Sequence, residues 1–197
     1  MGFFVLEGRN RMKYYKKLIG EHIYLSPRST EDAELFTEWL NDFETTDYLG
    51  RSGNLVSLEA EREYLENNSS PEATFVIITN DEDKMIGTVS IERINPIDRR
   101  GTLGIFIGDK NAREKGYGTE AIQMILEYGF RYLNLNNIGL DVMEFNPRAI
   151  RCYKKCGFQE VGRQRKSRFV NGKYYDSIHM DILAEEFTGD FIQNKNI

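Results

Sequence analysis

The sequence predicts one α/β domain, in which a mixed and mostly antiparallel sheet of about seven strands carries helices on its faces. Three observations predict it. Between Gly116 and Leu133, the residues Ala121, Ile122, Ile125, Leu126, Phe130 and Leu133 recur at helical spacing, which places a long amphipathic helix in mid-chain. Three short strand-like runs precede it, at 74–79, 85–94 and 102–107, with turns at 81–83 and 95–100, and together they read as an antiparallel meander. A second hairpin closes the chain, with Asn171-Gly172 as the turn between 159–170 and 173–183.

The remaining elements follow from local signals. His22 to Ser26 alternates polar and apolar as a strand does, and Ser29 or Thr30 then caps a helix with Ala33, Phe36, Trp39 and Leu40 on one face. A Gly-rich connector at 50–54 leads to a second helix, Ser57 to Asn67, expected to bury Leu58, Ala60, Tyr64 and Leu65. Ile138 to Met143 reads as a strand, and Asn146-Pro147 starts a helix over 148–156 that Gly157 stops, with Asn as cap and Pro in the first helical position. Residues 1–20, basic and aromatic without a clean period, read as an N-terminal extension, 21–187 as the domain and 188–197 as a C-terminal tail.

With 197 residues, 40% of them hydrophobic, the chain supports one core rather than two. No apolar run reaches the roughly 18 residues that a membrane span needs. Phe3-Phe4-Val5-Leu6 is too short for a signal-peptide core, and Leu6 stands where a myristoylation signal wants Ser or Thr. The expectation is a cytoplasmic protein without a membrane partner. A net charge of -5 argues against nucleic acid, which calls for a basic face. Two cysteines, Cys152 and Cys156, and two histidines suggest neither a disulfide framework nor a metal site, and His22 and His179 read as structural or surface residues.

The chemistry concentrates in Gly104 to Ala121, a strand running through a loop into the start of the long helix. Such a loop presents successive backbone N–H groups, and the helix dipole adds positive potential, so the segment suits a pyrophosphate. Gly116 and Gly118 let the backbone approach phosphates closely. Neither a Walker loop nor a dinucleotide Gly-x-Gly-x-x-Gly pattern is present here.

Arg113, Gly116 and Gly118 match the acetyl-CoA loop of the GNAT acyltransferase superfamily, and Asn146 to Phe158 resembles its second signature. The ending, from Val161-Gly162 to Asp176, is similar to the branch holding ribosomal-protein N-terminal acetyltransferases and spermidine acetyltransferases. The resemblance covers roughly residues 22–187 and implies a GNAT-type sheet and acetyl-CoA as co-substrate. It implies that Ile105, Phe106 and Ile107 hold the pantetheine arm, that Arg113, Glu114, Lys115, Gly116, Tyr117, Gly118 and Thr119 hold the pyrophosphate, and that Asn146 reaches the cofactor. Tyr153 takes the position of a general acid beside the sulfur, and Glu92 is the candidate base, acting through water. Glu114 departs from the pattern, since relatives usually carry Gly there. The acceptor stays open among a polyamine, a protein N-terminus and a small-molecule amine, with a homodimer through the terminal hairpin as a further expectation. An idle acyl-CoA sensor would carry the same pocket.

Overall fold

The computed structural model of the protein describes residues 13–67 and 73–194; the Phe3–Leu6 run and the other residues up to 12, read above as neither a signal-peptide core nor a myristoylation signal, lie outside the described residues. In chain order the elements are β1 Leu18–Ile19, β2 Ile23–Pro27, α1 Ala33–Leu40, α2 Phe43–Leu49, α3 Leu58–Asn67, β3 Ala73–Thr79, β4 Met85–Asn95, β5 Arg100–Ile107, α4 Tyr117–Arg131, β6 Asn137–Met143, α5 Pro147–Lys155, β7 Gln159–Val170 and β8 Lys173–Leu183, with short 3-10 turns between some of them. One sheet takes all the strands in the order β1-β2-β3-β4-β5-β6-β8-β7.

Among the described residues eight strands replace the expected seven. The extra one is β1, whose two residues pair with Leu25 and Tyr24, too short a run to show any period. Within the expected extension, Tyr14 and Leu18 are buried. Within the expected tail, Ile192 is buried, and the Phe191 and Ile192 amides donate to Glu127 at 2.6 and 3.1 Å. α2 lies between the first expected helix and the connector at 50–54, where no element is expected; its Asp42 cap and left-handed Gly50 stop are ordinary helix signals around only seven residues. α3 is rotated from its expected phase: Glu61 and Leu65 face inward, while Ala60 and Tyr64 are exposed. Burial raises the Glu61 carboxyl above its ordinary value, against the charges of Arg28 and Arg51.

Two apolar layers sandwich the sheet. On one face Ile122, Met124, Ile125 and Leu126 of α4 pack on Ile77, Val89, Ile91, Ile138, Leu140 and Ile178. On the other, Phe36 and Trp39 of α1 and Leu65 of α3 pack on Tyr24, Val76 and Ile78. Trp39 meets Phe106 edge to face at 6.0 Å and lies so close to Gly108 that a Cβ there would sit 2.0 Å from its ring, so α1 seats directly on the end of β5.

The sheet has one weak seam. β5 and β6 are its parallel pair, joined only at Arg100↔Asn137, Gly101↔Ile138 and Thr102↔Gly139. Beyond Thr102 and Gly139 they splay, and β5 runs on to Ile107 and β6 to Met143 without pairing each other.

Glu127 holds the chain end to α4. Its carboxylate is fully buried, with Arg131 Nη1 at 2.9 Å beside the two backbone donors. Replacing it by alanine strands those donors. Glu127→Ala is expected to cost about 2–4 kcal/mol in urea unfolding, from the loss of charged hydrogen bonds.

Candidate active site

The splay between β5 and β6 opens a cavity of about 490 Å3. Its geometry begins with the β4–β5 ladder. Gly108 N donates to Ile86 O at 2.9 Å, so alternation directs the backbone groups of Leu103, Ile105 and Ile107 the other way, into the gap. Those edges belong to a strand whose partner has turned away, and buried amides need acceptors. An extended amide-bearing chain fits there. The Ile105 and Ile107 side chains pack toward α4, and Phe106 packs toward Trp39.

At the end of β5 the chain turns into α4. Gly116 has φ +90° and no atom within 4 Å of an added Cβ, and Gly118 meets only Ile107, at 3.8 Å. Glu120 N to Gly116 O is the first intrahelical bond, so the amides of Tyr117, Gly118 and Thr119 precede the helical ladder. Open glycines beside these first-turn donors fit a pyrophosphate. Glu114 adopts φ +65°, a conformation natural to glycine, and its side chain is 78% exposed with Arg148 at 3.9 Å. Glu114 and Arg148 both line the cavity, on its exposed side.

Arg113 behaves otherwise than expected of a phosphate ligand. Its guanidinium bonds Glu44 at 2.6 Å, Thr45 Oγ1 at 3.1 Å and Ile107 O at 3.2 Å, with the side chain only 11% exposed. Lys110 adds contacts to Asp42 at 3.0 Å and Glu44 at 2.9 Å. The Lys110 contact is the leading cause that draws the Glu44 carboxyl below its ordinary value. The loop is thereby tied to α2, whose Glu44, Thr45, Tyr48 and Leu49 form a cavity wall.

Of the other expected residues, Asn146 and Tyr153 line the cavity. Asn146 spends Oδ1 on capping α5, accepting from Ala149 N at 3.1 Å, which leaves its Nδ2 side for a ligand. Tyr153 packs on Phe158, and burial raises its phenol well above the ordinary value, so it stays protonated. Lys115 and Tyr117 lie outside the wall. So does Glu92: it accepts from Ser90 Oγ at 2.9 Å and sits behind Gly104. Asp141, Arg168 and Ser177 line the cavity although no local motif marks them, because β6, β7 and β8 bring them together by register. Among the described residues no group of three His, Cys, Asp or Glu is placed to hold a metal, and no helix is long and apolar enough to cross a membrane.

The family model of the GNAT acetyltransferase domain matches residues 22–159. The chain belongs to the GNAT acetyltransferase family. It is 33% identical to a probable N-acetyltransferase of Bacillus subtilis, YjcK, over 84% of this chain and 96% of that one. It is 34% identical to a spermidine N(1)-acetyltransferase of Vibrio cholerae over 56% of this chain and 64% of that one. The crystal structure of a Vibrio cholerae spermidine N-acetyltransferase in complex with CoA and spermine superposes with a TM-score of 0.78 at 28% identity, covering 84% of this chain and 97% of that one. This GNAT protein is therefore an N-acetyltransferase with the fold of a CoA-binding relative.

Cys152 also faces this cavity, with Thr119 Oγ1 3.3 Å from its sulfur. Cys156 Sγ donates to Thr119 O at 3.8 Å, and the neighbouring Cys156 thiol, with Thr119 and the charges of Lys155 and Arg148 acting against the cost of burial, holds Cys152 below the ordinary thiol range while Cys156 is pushed up. Alkylation by iodoacetamide should fall on Cys152, proceed at a lower pH than for an ordinary free thiol, and slow when acetyl-CoA fills the cavity. Peptide mapping that finds Cys156 modified first contradicts this.

Proposed function

We propose that this GNAT N-acetyltransferase moves the acetyl group of acetyl-CoA to a primary amine by direct attack, with both substrates bound in the cleft between β5 and β6. The observation that carries it is the splay itself, which turns the backbone edge of Leu103 to Ile107 into a cavity that ends at the Gly116–Thr119 cradle. The first-turn amides of α4 and the open face of Gly116 receive the pyrophosphate, and the Ile105 and Ile107 backbone receives the pantetheine arm. Acetyl-CoA supplies an activated thioester.

Each residue then has a limited task. The β5 amides that face the gap stabilise the negative charge that develops on the carbonyl oxygen. Tyr153, protonated and on the α5 side, donates a proton to the departing sulfur. Asn146 offers its amide N–H group to the cofactor from the head of α5. Arg113 serves through its grip on Glu44 and Thr45, which fixes the loop against the α2 wall. Glu92, behind Gly104, reaches the amine only through an intervening water. Juxtaposing the two substrates supplies much of the remaining acceleration. A reducing cytoplasm suits the two free thiols, and the edge strand β7, with Val161 and Phe169 exposed, is the edge on which a second copy would pair.

Free-thiol release from acetyl-CoA in the presence of an amine panel tests the proposal. Tyr153→Phe is expected to lower kcat by roughly a hundredfold, the scale of a lost general acid, with the acetyl-CoA Kd from calorimetry almost unmoved. Unchanged kcat removes Tyr153 from the chemistry.

A further inference from the structure

Three acid–base pairs line the cavity. Glu44–Arg113 and Glu114–Arg148 belong to the cofactor end, on α2, the phosphate loop and the start of α5. The third, Asp141–Arg168 at 3.9 Å, joins β6 to β7. Leu140 and Val142 pack into the layer under α4, so strand alternation sends Asp141 to the opposite face. Tyr153 approaches from the α4 and α5 side, and Asp141 from the acceptor side. Register places His179 directly opposite Asp141, and the imidazole Nδ1 contacts its carboxylate. Ser177 follows on the same face, opposite Met143. Across the gap, Glu92 is the carboxylate of that face, held to Ser90.

Two donors here are unspent. Ser177 is 1% exposed, and neither its Oγ nor the buried Arg168 Nε has a hydrogen-bond partner among the described residues. Guanidinium nitrogen can only donate, so Arg168 Nε calls for an oxygen acceptor, and Ser177 Oγ can donate to the same group. Buried polar groups are rarely left unmatched, and both of these line a cavity built for two substrates. A purely cationic polyamine supplies no oxygen and brings its charge up to the Arg168 guanidinium. A ligand that carries an ammonium next to an oxygen acceptor matches all of them.

We propose that the acceptor is an α-amino-acyl group, a primary amine whose adjacent carbon bears a carbonyl or carboxylate, with Asp141 on the ammonium and Arg168 Nε and Ser177 Oγ on the oxygen. A free amino acid and a peptide N-terminus share this chemistry. The proposal rests on acetyl transfer in the same cleft. Asp141 takes a proton from the ammonium and His179, at the solvent side, passes it out; the neutral nitrogen forms the N–C bond as the C–S bond breaks. Tyr153 protonates the departing sulfur and is restored by the nitrogen's second proton, so the net products are the amide, the CoA thiol and one proton.

The test measures thiol release at saturating acetyl-CoA with a free amino acid, a short peptide with an unblocked N-terminus, the same peptide N-methyl-blocked, and spermidine. Peptide or amino acid should exceed spermidine in kcat/KM by at least about tenfold, with the better of the two naming the source. Arg168→Gln should lower that kcat/KM roughly tenfold to a hundredfold and Ser177→Ala by less, from the loss of a charged and a neutral hydrogen bond respectively, while calorimetry finds acetyl-CoA binding unchanged. Asp141→Asn should lower kcat/KM for the same acceptor by roughly tenfold to a hundredfold with acetyl-CoA binding unchanged, a split that a merely structural loss would not give. Spermidine turned over best, with Arg168→Gln indifferent, overturns the proposal and leaves acetyl transfer standing. Thiol release with no amine at all overturns both.

Discussion

The cleft depends on how briefly β5 and β6 pair. Three residue pairs hold the two halves of the sheet together, and a fourth would begin to close the cavity. The separation is stable because each half has its own support: α4 binds β4, β5 and β6 from one side, while Trp39 and Phe106 lock the outer half of β5 to α1. Buried backbone groups on a strand without a neighbour are costly. In this chain the cost falls where a substrate with its own amides can offset it.

A second constraint makes the cleft one site rather than two. Arg113 joins the phosphate loop to α2 through Glu44 and Thr45, and Lys110 doubles the contact. The loop is therefore fastened to the α2 wall of the same cleft. Between those ties the loop turns left-handed at Glu114 and Gly116.

How much of this was legible depends on whether the determinant is local. Gly116, Gly118 and the Asn146-Pro147 start announce themselves because backbone conformation and capping restrict residue type directly. The long helix and both hairpins follow from period and turn chemistry. β1 escapes notice because two residues carry no period, and α2 because the sequence Phe-Glu-Thr-Thr-Asp-Tyr-Leu is short and polar, although its caps were readable. The α3 phase misleads because Glu61 occupies an inward position that a hydrophobic pattern assigns to its neighbours. Arg113 sits in the expected motif, yet its side chain answers to Glu44, 69 residues earlier. Asp141, Arg168 and Ser177 are the least legible. Each lies in an unremarkable strand, and only the β6–β8–β7 register makes them neighbours.

The central claim is that the splay receives acetyl-CoA, and a crystal structure of the protein grown with CoA tests it most directly. The account predicts the pantetheine arm running along β5 with its amides bonded to the backbone of Ile105 and Ile107, the pyrophosphate over Gly116 to Thr119, and Arg113 still on Glu44. CoA bound elsewhere, or β5 and β6 paired past Thr102 with the cavity closed, would contradict it.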